Sequence, residues 1–196
     1  MEITSRQLDI IEAAGKILTS SGVGGLTIKN LAKEMQFAES AIYRHFTSKE
    51  EIIVSMLNYL ADSIDERLSN IAPSIDPEEN FKAMFHEHFR FFKIHPYFVV
   101  AVFSDGLMEG SQRINKAILE IMSVKIKHLM PVLIEGQNKG VFTHAVTASE
   151  LMHIIMGTFR LQMFKWRSGD FQLEIISSGD AMVNAILKLI KINNKN

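Results

Sequence analysis

The sequence predicts an all-α protein of about nine helices. Apolar residues recur at a period of about 3.6 along nearly the whole chain, and no stretch sustains strand alternation. Only four prolines and 11 glycines occur in 196 residues, and most of them punctuate the apolar segments. Hydrophobic content is 47%, enough for a packed core. The first three helices are short and read as one compact head over residues 1–47. The rest, 48–196, reads as a separate helical body that opens with a connecting helix over 48–71.

Thr4 and Gln7 have the spacing of a capping box, so the first helix starts there. Ile10, Ala14, Ile17 and Leu18 form its stripe, and "SSGVGG" ends it, with Gly22 as a left-handed cap. Thr27 caps a second helix whose Ile28, Leu31, Ala32 and Met35 share one face. A third helix runs from about Ala38 to His45 and is buried through Ile42 and Phe46. Ser48 and Glu51 have the next capping-box spacing and open the fourth helix, striped by Ile53, Leu57, Leu60, Ile64 and Leu68. Asp76-Pro77-Glu78-Glu79 starts the fifth: a cap, a proline at the first position, then acids at the positive dipole end. A sixth helix covers about 96–108, and a seventh about 111–137, with a kink expected at Pro131. Thr147 and Glu150 open an eighth to about Arg167. A ninth covers about 172–191, weakened at "SSGD" (177–180).

Composition excludes several function classes. With no cysteine, there is no disulfide, thiolate metal site or cysteine nucleophile. The N-terminus has early acids and no apolar core, so it does not read as a signal peptide. The longest apolar run, "YFVVAVF", is far short of a membrane span. The expected location is the cytoplasm, without membrane contact. His86 and His88 stand at i and i+2 and point to different helix faces, so no metal site is expected. No catalytic triad, Gly-rich phosphate loop or paired-carboxylate motif is visible, so neither an enzyme nor a cofactor is expected.

Two short helices joined by a tight turn and braced by a third form a helix-turn-helix. Its second helix needs apolar anchors, supplied by Ile42 and Phe46. It needs a small start that lets backbone approach base edges, supplied by Ala38, Ser40 and Ala41. It needs flanking donors for phosphates, supplied by Thr27, Lys29, Tyr43, Arg44, His45 and Lys49. Glu39 stands in the same place and could accept from a cytosine amino group or repel phosphate. Formal net charge is −1 for the chain, and residues 1–50 hold six basic and six acidic side chains. Nucleic-acid binding therefore depends on where the cations sit, with Arg6, Lys29, Arg44 and Lys49 expected at the contact face.

"AAGKILTSSGVGGLTIKNLAKEM" followed by "AIYRHFTSKEEI" resembles the TetR family of transcriptional regulators, over about residues 6–55. The Tyr-x-His-Phe-x-x-Lys-Glu run at 43–50 is the most specific part, and "GQNKGVF" at 136–142 is similar to the loop before that family's eighth helix. The resemblance implies a homodimer with DNA-binding heads and ligand-binding bodies, joined through the last two helices, about 148–167 and 172–191. It implies double-stranded operator DNA and a small-molecule effector as partners. Two departures stand out. Gln36 occupies a turn position usually held by glycine, at a cost of roughly 1 kcal/mol if left-handed. Ala38 replaces a Ser or Thr cap, at about 0.5–2 kcal/mol.

Candidates to line an apolar ligand pocket are His86, Phe89, Phe92, Phe103, Met108, Met122, Met156, Phe159, Arg160 and Met163; each is also explained by plain core packing. Arg160 lies among apolar neighbours, and a buried arginine needs an anionic partner, from a ligand, from an internal acid such as Asp105 or Glu109, or across the dimer interface. The combined reading is a ligand-responsive DNA-binding transcriptional regulator, a repressor released from a pseudo-palindromic operator by an apolar small molecule. The alternative is a helical scaffold that binds protein and not DNA, favoured by the neutral head. Effector, operator and sign of regulation are not written in the sequence.

Overall fold

The computed structural model describes residues 3–103 and 111–192. Nine helices occur among them: α1 (Ser5–Gly25), α2 (Ile28–Met35), α3 (Glu39–Tyr43), α4 (Lys49–Ser69), α5 (Pro77–Ile94), α6 (Tyr97–Val102), α7 (Gln112–Asn138), α8 (Ala148–Ser168) and α9 (Ile175–Ile190). The all-α prediction holds. The described residues contain no strand, only an isolated antiparallel bridge between Phe142 and Lys191.

The described residues form two compact units, one within Met1–Ser63 and His95–Met122, the other within Ile64–Ile94 and Ser123–Asn196. Helices α4 and α7 each contribute residues to both.

In the first unit, the Thr4–Gln7 capping box forms: the Thr4 hydroxyl accepts from the Gln7 amide, and the Gln7 side chain accepts from the Thr4 amide. Helix α1 breaks at Gly22, whose φ of 64° is positive but whose ψ of −169° lies outside the left-handed helical region expected there. Thr27 caps α2, accepting from the Asn30 amide at 3.0 Å. Gln36 is left-handed, at φ 56° and ψ 40°. The Gln36 amide bonds the α2 carbonyls and Phe37 N bonds Ala32 O at 2.8 Å, closing the turn. Helix α3 is shorter than predicted at five residues, and its N-cap Ala38 makes no side-chain cap bond. At the next helix start only half of the predicted Ser48–Glu51 box forms. The Glu51 amide donates to Ser48 Oγ, but the Glu51 carboxylate accepts from the Thr47 amide and hydroxyl, each at 2.6 Å. These two bonds, the hydroxyl's first, hold the Glu51 carboxyl below the usual range. Helix α6 lies against α1, with the Tyr97 ring on the backbone of Gly15; a Cβ at Gly15 would sit 2.5 Å from that ring.

In the second unit, α5 begins as predicted, with the Glu78 amide bonded to Asp76 Oδ1 at 2.8 Å. Its aromatic face packs on α9, where the Phe89 ring lies on the bare backbone of Gly179. The expected weak point at "SSGD" is therefore a close-approach site, and α9 continues through it. Helix α7 runs through Pro131. Its buried Gln137 donates to Thr143 O and Val146 O, both at 2.8 Å, fixing the connection to α8, which opens with the predicted Thr147–Glu150 box. No helix among the described residues is long and apolar enough to cross a membrane.

Two stability outcomes follow from this packing. Gln36→Gly removes the left-handed strain and raises stability by about 1 kcal/mol in urea denaturation. Gly179→Ala places a Cβ 2.4 Å from the Phe89 ring and lowers stability by about 1–3 kcal/mol in the same assay.

Candidate nucleic-acid interface and body cavity

The recognition segment is built as its sequence demands. Ile42 is 0% and Phe46 2% exposed, so both pin α3 from beneath. Tyr43 is 51% exposed, and Thr27, Lys29, Glu39, Ser40 and Arg44 are exposed too, with Ala41 and His45 half-buried. The Thr27 hydroxyl accepts the Asn30 amide and keeps its own proton for a further acceptor.

Two of the expected cations have other work. Lys49 is half-buried, and its Nζ donates to Val23 O at 3.0 Å, bracing the end of α1. Arg6 pairs with Asp9 at 3.2 Å, and its guanidinium stands 5.2 Å from the ring centroid of Phe37, next to the start of α3. Arg6 thus steadies the turn. Glu50 is engaged by Arg113 at 3.3 Å and by the Ser111 hydroxyl.

The second unit has an aromatic interior. Phe81 and Phe85 stand 4.9 Å apart by centroid, and Phe85, Phe89 and Phe92 surround Phe159 of α8 at 5.7–6.3 Å. Two titratable side chains lie in it. His88 is 7% exposed, and its Nδ1 lies 2.8 Å from Met84 O. A carbonyl can only accept, so Nδ1 carries the proton and Nε2 is a bare acceptor, with no partner among the described residues. Lys125 is 8% exposed. Its Nζ stands 4.3 Å from the ring centroid of Phe159 and 5.8 Å from that of Phe92. Burial lowers Lys125 to about 7 and, with the nearby Lys125 charge, lowers His88 to about 3. Two ring faces give a desolvated ammonium about 2 kcal/mol, against a desolvation penalty of several kcal/mol. The rings alone do not offset its burial.

His88 separates two small cavities. One, of about 10 Å³, is lined by Met84, Phe85, His88, Lys125, Met156 and Phe159, and has room for about one water. The other lies among Ile64, Leu68, Glu87, His88 and Phe91.

The structure brings together only part of the predicted ligand-pocket set. Phe89, Phe92, Phe159 and Met163 are buried, and Met156 lines the cavity beside Lys125. His86 does not join them. It faces outward at the α5–α9 surface, 3.1 Å from Asp180, because i and i+2 positions on α5 diverge. Arg160 is exposed on α8, so it is not buried within the single chain as expected for a ligand or internal-acid contact; it stands on the helix's outer side, one step beyond buried Phe159. Phe103 belongs to the first unit, and so does Met122, which is 46% exposed. Met108, with Asp105 and Glu109, lies outside the described residues.

Sequence reasoning passed over His88 and Lys125, although a signal existed. Lys125 interrupts the buried α7 series Ile114, Ile118, Ile121, Leu129 and Leu133, and His88 lies four residues from both Met84 and Phe92. A polar side chain in an apolar stripe is the mark of a buried site.

Comparison with known proteins covers nearly the whole chain. Residues 10–56 match the model for bacterial regulatory proteins of the tetR family, and residues 55–190 match that for the C-terminal region of YsiA-like proteins. The fatty acid metabolism regulator protein of Bacillus subtilis is 23% identical over 186 residues, 94% of this chain and 93% of that protein. The fatty acid degradation regulator FadR of Bacillus halodurans superposes with a TM-score of 0.84 at 20% identity, over 95% of this chain and 97% of that one. FadR of Bacillus subtilis, solved in complex with stearoyl-CoA, gives 0.79 at 20% identity, over 92% and 97%. The helix-turn-helix head, the all-helical body and these two contiguous matches lead to one conclusion: the chain belongs to the TetR family of DNA-binding transcriptional regulators.

Proposed function

We propose that the chain is a homodimeric repressor, with residues 1–47 as the DNA-binding domain and 48–196 as the ligand-binding and dimerisation domain. The observation that carries the reading is α3 itself. Its inner face is pinned by Ile42 and Phe46 while Ser40, Tyr43 and Arg44 stand in solvent at its outer face. Thr27, Lys29, Tyr43, Arg44, His45 and Lys49 would contact phosphates, and Ala41, Ser40 and Glu39 base edges. In a dimer, two such helices would enter successive major grooves about 34 Å apart, or somewhat more.

The dimer contact we propose is formed by α8 and α9. Ile154, Leu161 and Phe164 are 57%, 52% and 55% exposed, and their spacing puts them on one face of α8. Leu189 of α9 is 82% exposed. Arg160 stands at the edge of that α8 face. Covering these side chains in a two-fold, four-helix contact removes an apolar surface that a monomer would leave in water.

The effector we propose is an apolar small molecule held in the aromatic interior of the second unit. The acyl chain bound by the B. subtilis relative suits walls of phenylalanine and methionine. Such a ligand releases the operator only if it binds the DNA-competent and incompetent conformations with different affinity. Helix α4, which contributes residues to both units, is the covalent route for that coupling.

Purified protein is expected to bind DNA from upstream of its own gene with affinity that falls steeply with salt. Arg44→Ala weakens binding by about 1–3 kcal/mol, and Lys49→Met lowers the salt slope by about one. Failure to select any genomic fragment in a salt-sensitive manner refutes the reading. In sedimentation analysis, Leu161→Asp shifts the dimer to monomer; a variant that sediments like wild type places the dimer contact elsewhere.

A further inference from the structure

The effector reading above leaves open how the ligand's polar end is held, and the following inference rests on it. We propose that Lys125 holds the carboxylate head of an acyl ligand, its ammonium pairing with the carboxylate oxygens while the His88 acceptor orients it from the other side. The site is built from two independent buried groups. Lys125 is more than nine-tenths buried, with its Nζ over the rings of Phe159 and Phe92. His88 is equally buried, with a bare Nε2 that has no partner among the described residues. Both line the same cavity.

The chemistry of that pair selects the ligand class. An ammonium has three N–H groups and no acceptor capacity. One can turn to His88 Nε2, and the remaining two match the two oxygens of a carboxylate. A cationic head would be repelled, and a neutral one would leave the buried charge uncompensated. The rest of the lining is Met84, Phe85, Leu129, Met156 and Phe159, which fits a hydrocarbon chain and offers no side-chain charge to a large polar group. The cavity has room for only about one water. A chain therefore enters by displacing methionines, the side chains best able to repack; Met156, only half-buried, stands at the rim.

Anion binding also has a proton signature. Burial holds Lys125 at about 7 without ligand, so near neutral pH a fraction of the population is uncharged. A carboxylate beside it favours the ammonium, and the complex takes up the missing proton. Arg67 and Glu87, paired with each other at 3.1 Å, line the second cavity beside His88. His128 of α7 acts on His88 and is itself bonded to Asp65 of α4 at 2.6 Å, and Lys127 holds the same Asp65 at 2.7 Å. Both bonds keep Asp65 ionised by lowering its carboxyl below the usual range, Lys127's more than His128's.

The test is titration calorimetry of the full chain with straight-chain carboxylates from octanoate to octadecanoate, and with the matching alcohols, in two buffers of different ionisation heat. Wild type should bind the best carboxylate about 30-fold or more tighter than its alcohol, with net proton uptake near neutral pH. K125M should equalise the two series and abolish the uptake. It should also melt higher than wild type without ligand, because methionine replaces an uncompensated buried charge at similar volume. Equal wild-type affinities for acid and alcohol, or a preference retained in K125M, overturn the inference while leaving a ligand-responsive regulator intact. A lower melting temperature for K125M also overturns it, since the ammonium would then already have its counterpart. Binding of neither series refutes both this head-group assignment and the acyl effector.

Discussion

Five residues of helix cannot hold themselves together in water. Nucleating a helix costs more than a single turn returns, so α3 exists because Ile42 and Phe46 fasten it to its neighbours. Everything proposed for the head depends on that attachment. It frees the outer positions of α3 from structural duty. Nearby cations add to the bracing: one N–H of Lys49 closes the end of α1, and Arg6 lies over Phe37. A head with no net charge cannot rely on a general attraction to polyanions. It relies on a rigid presentation of a few donors, and rigidity is what these contacts supply.

The body obeys the opposite logic. Its interior is over-supplied with aromatic contact, as where Phe89 lies directly on the Gly179 backbone. Against that background, a lysine among rings is a local instability carried by an otherwise generous core. Proteins keep such features where function repays them, and the surrounding methionines allow the core to change shape without breaking.

Much of this was legible in the chain. The capping pairs Thr4–Gln7 and Thr147–Glu150 marked two helix starts, and the left-handed Gln36 was flagged by the glycine usual at that turn position in the family the segment resembles. The donor pattern at 27–49 could be read because a recognition helix must satisfy local rules. The body site could not be read in the same way. Which of many phenylalanines share a chamber depends on which helices pair, and helix pairing is a long-range outcome. Phe103 and Met122 fall in the other unit's residue ranges, and Arg160 was judged from apolar neighbours in sequence, of which Phe159 and Met163 are buried while Arg160 itself is exposed on α8. His88 and Lys125 broke an apolar stripe, which is a local signal, but only the fold shows that they line one cavity.

The short seam between the α7–α8 connection and the end of α9 has its own consequence. Thr143 N bonds Ile190 O at 2.7 Å, and Ile192 N bonds Val141 O at 3.0 Å, around the Phe142–Lys191 bridge. These bonds close the chain from 141 to 192 into a loop that contains all of α8 and α9. The two helices proposed to meet a second subunit are thus stitched together at their far ends before any partner arrives. The loop's closure entropy is met within one chain. Association then joins two pre-assembled hairpins, with no loose helices left to order.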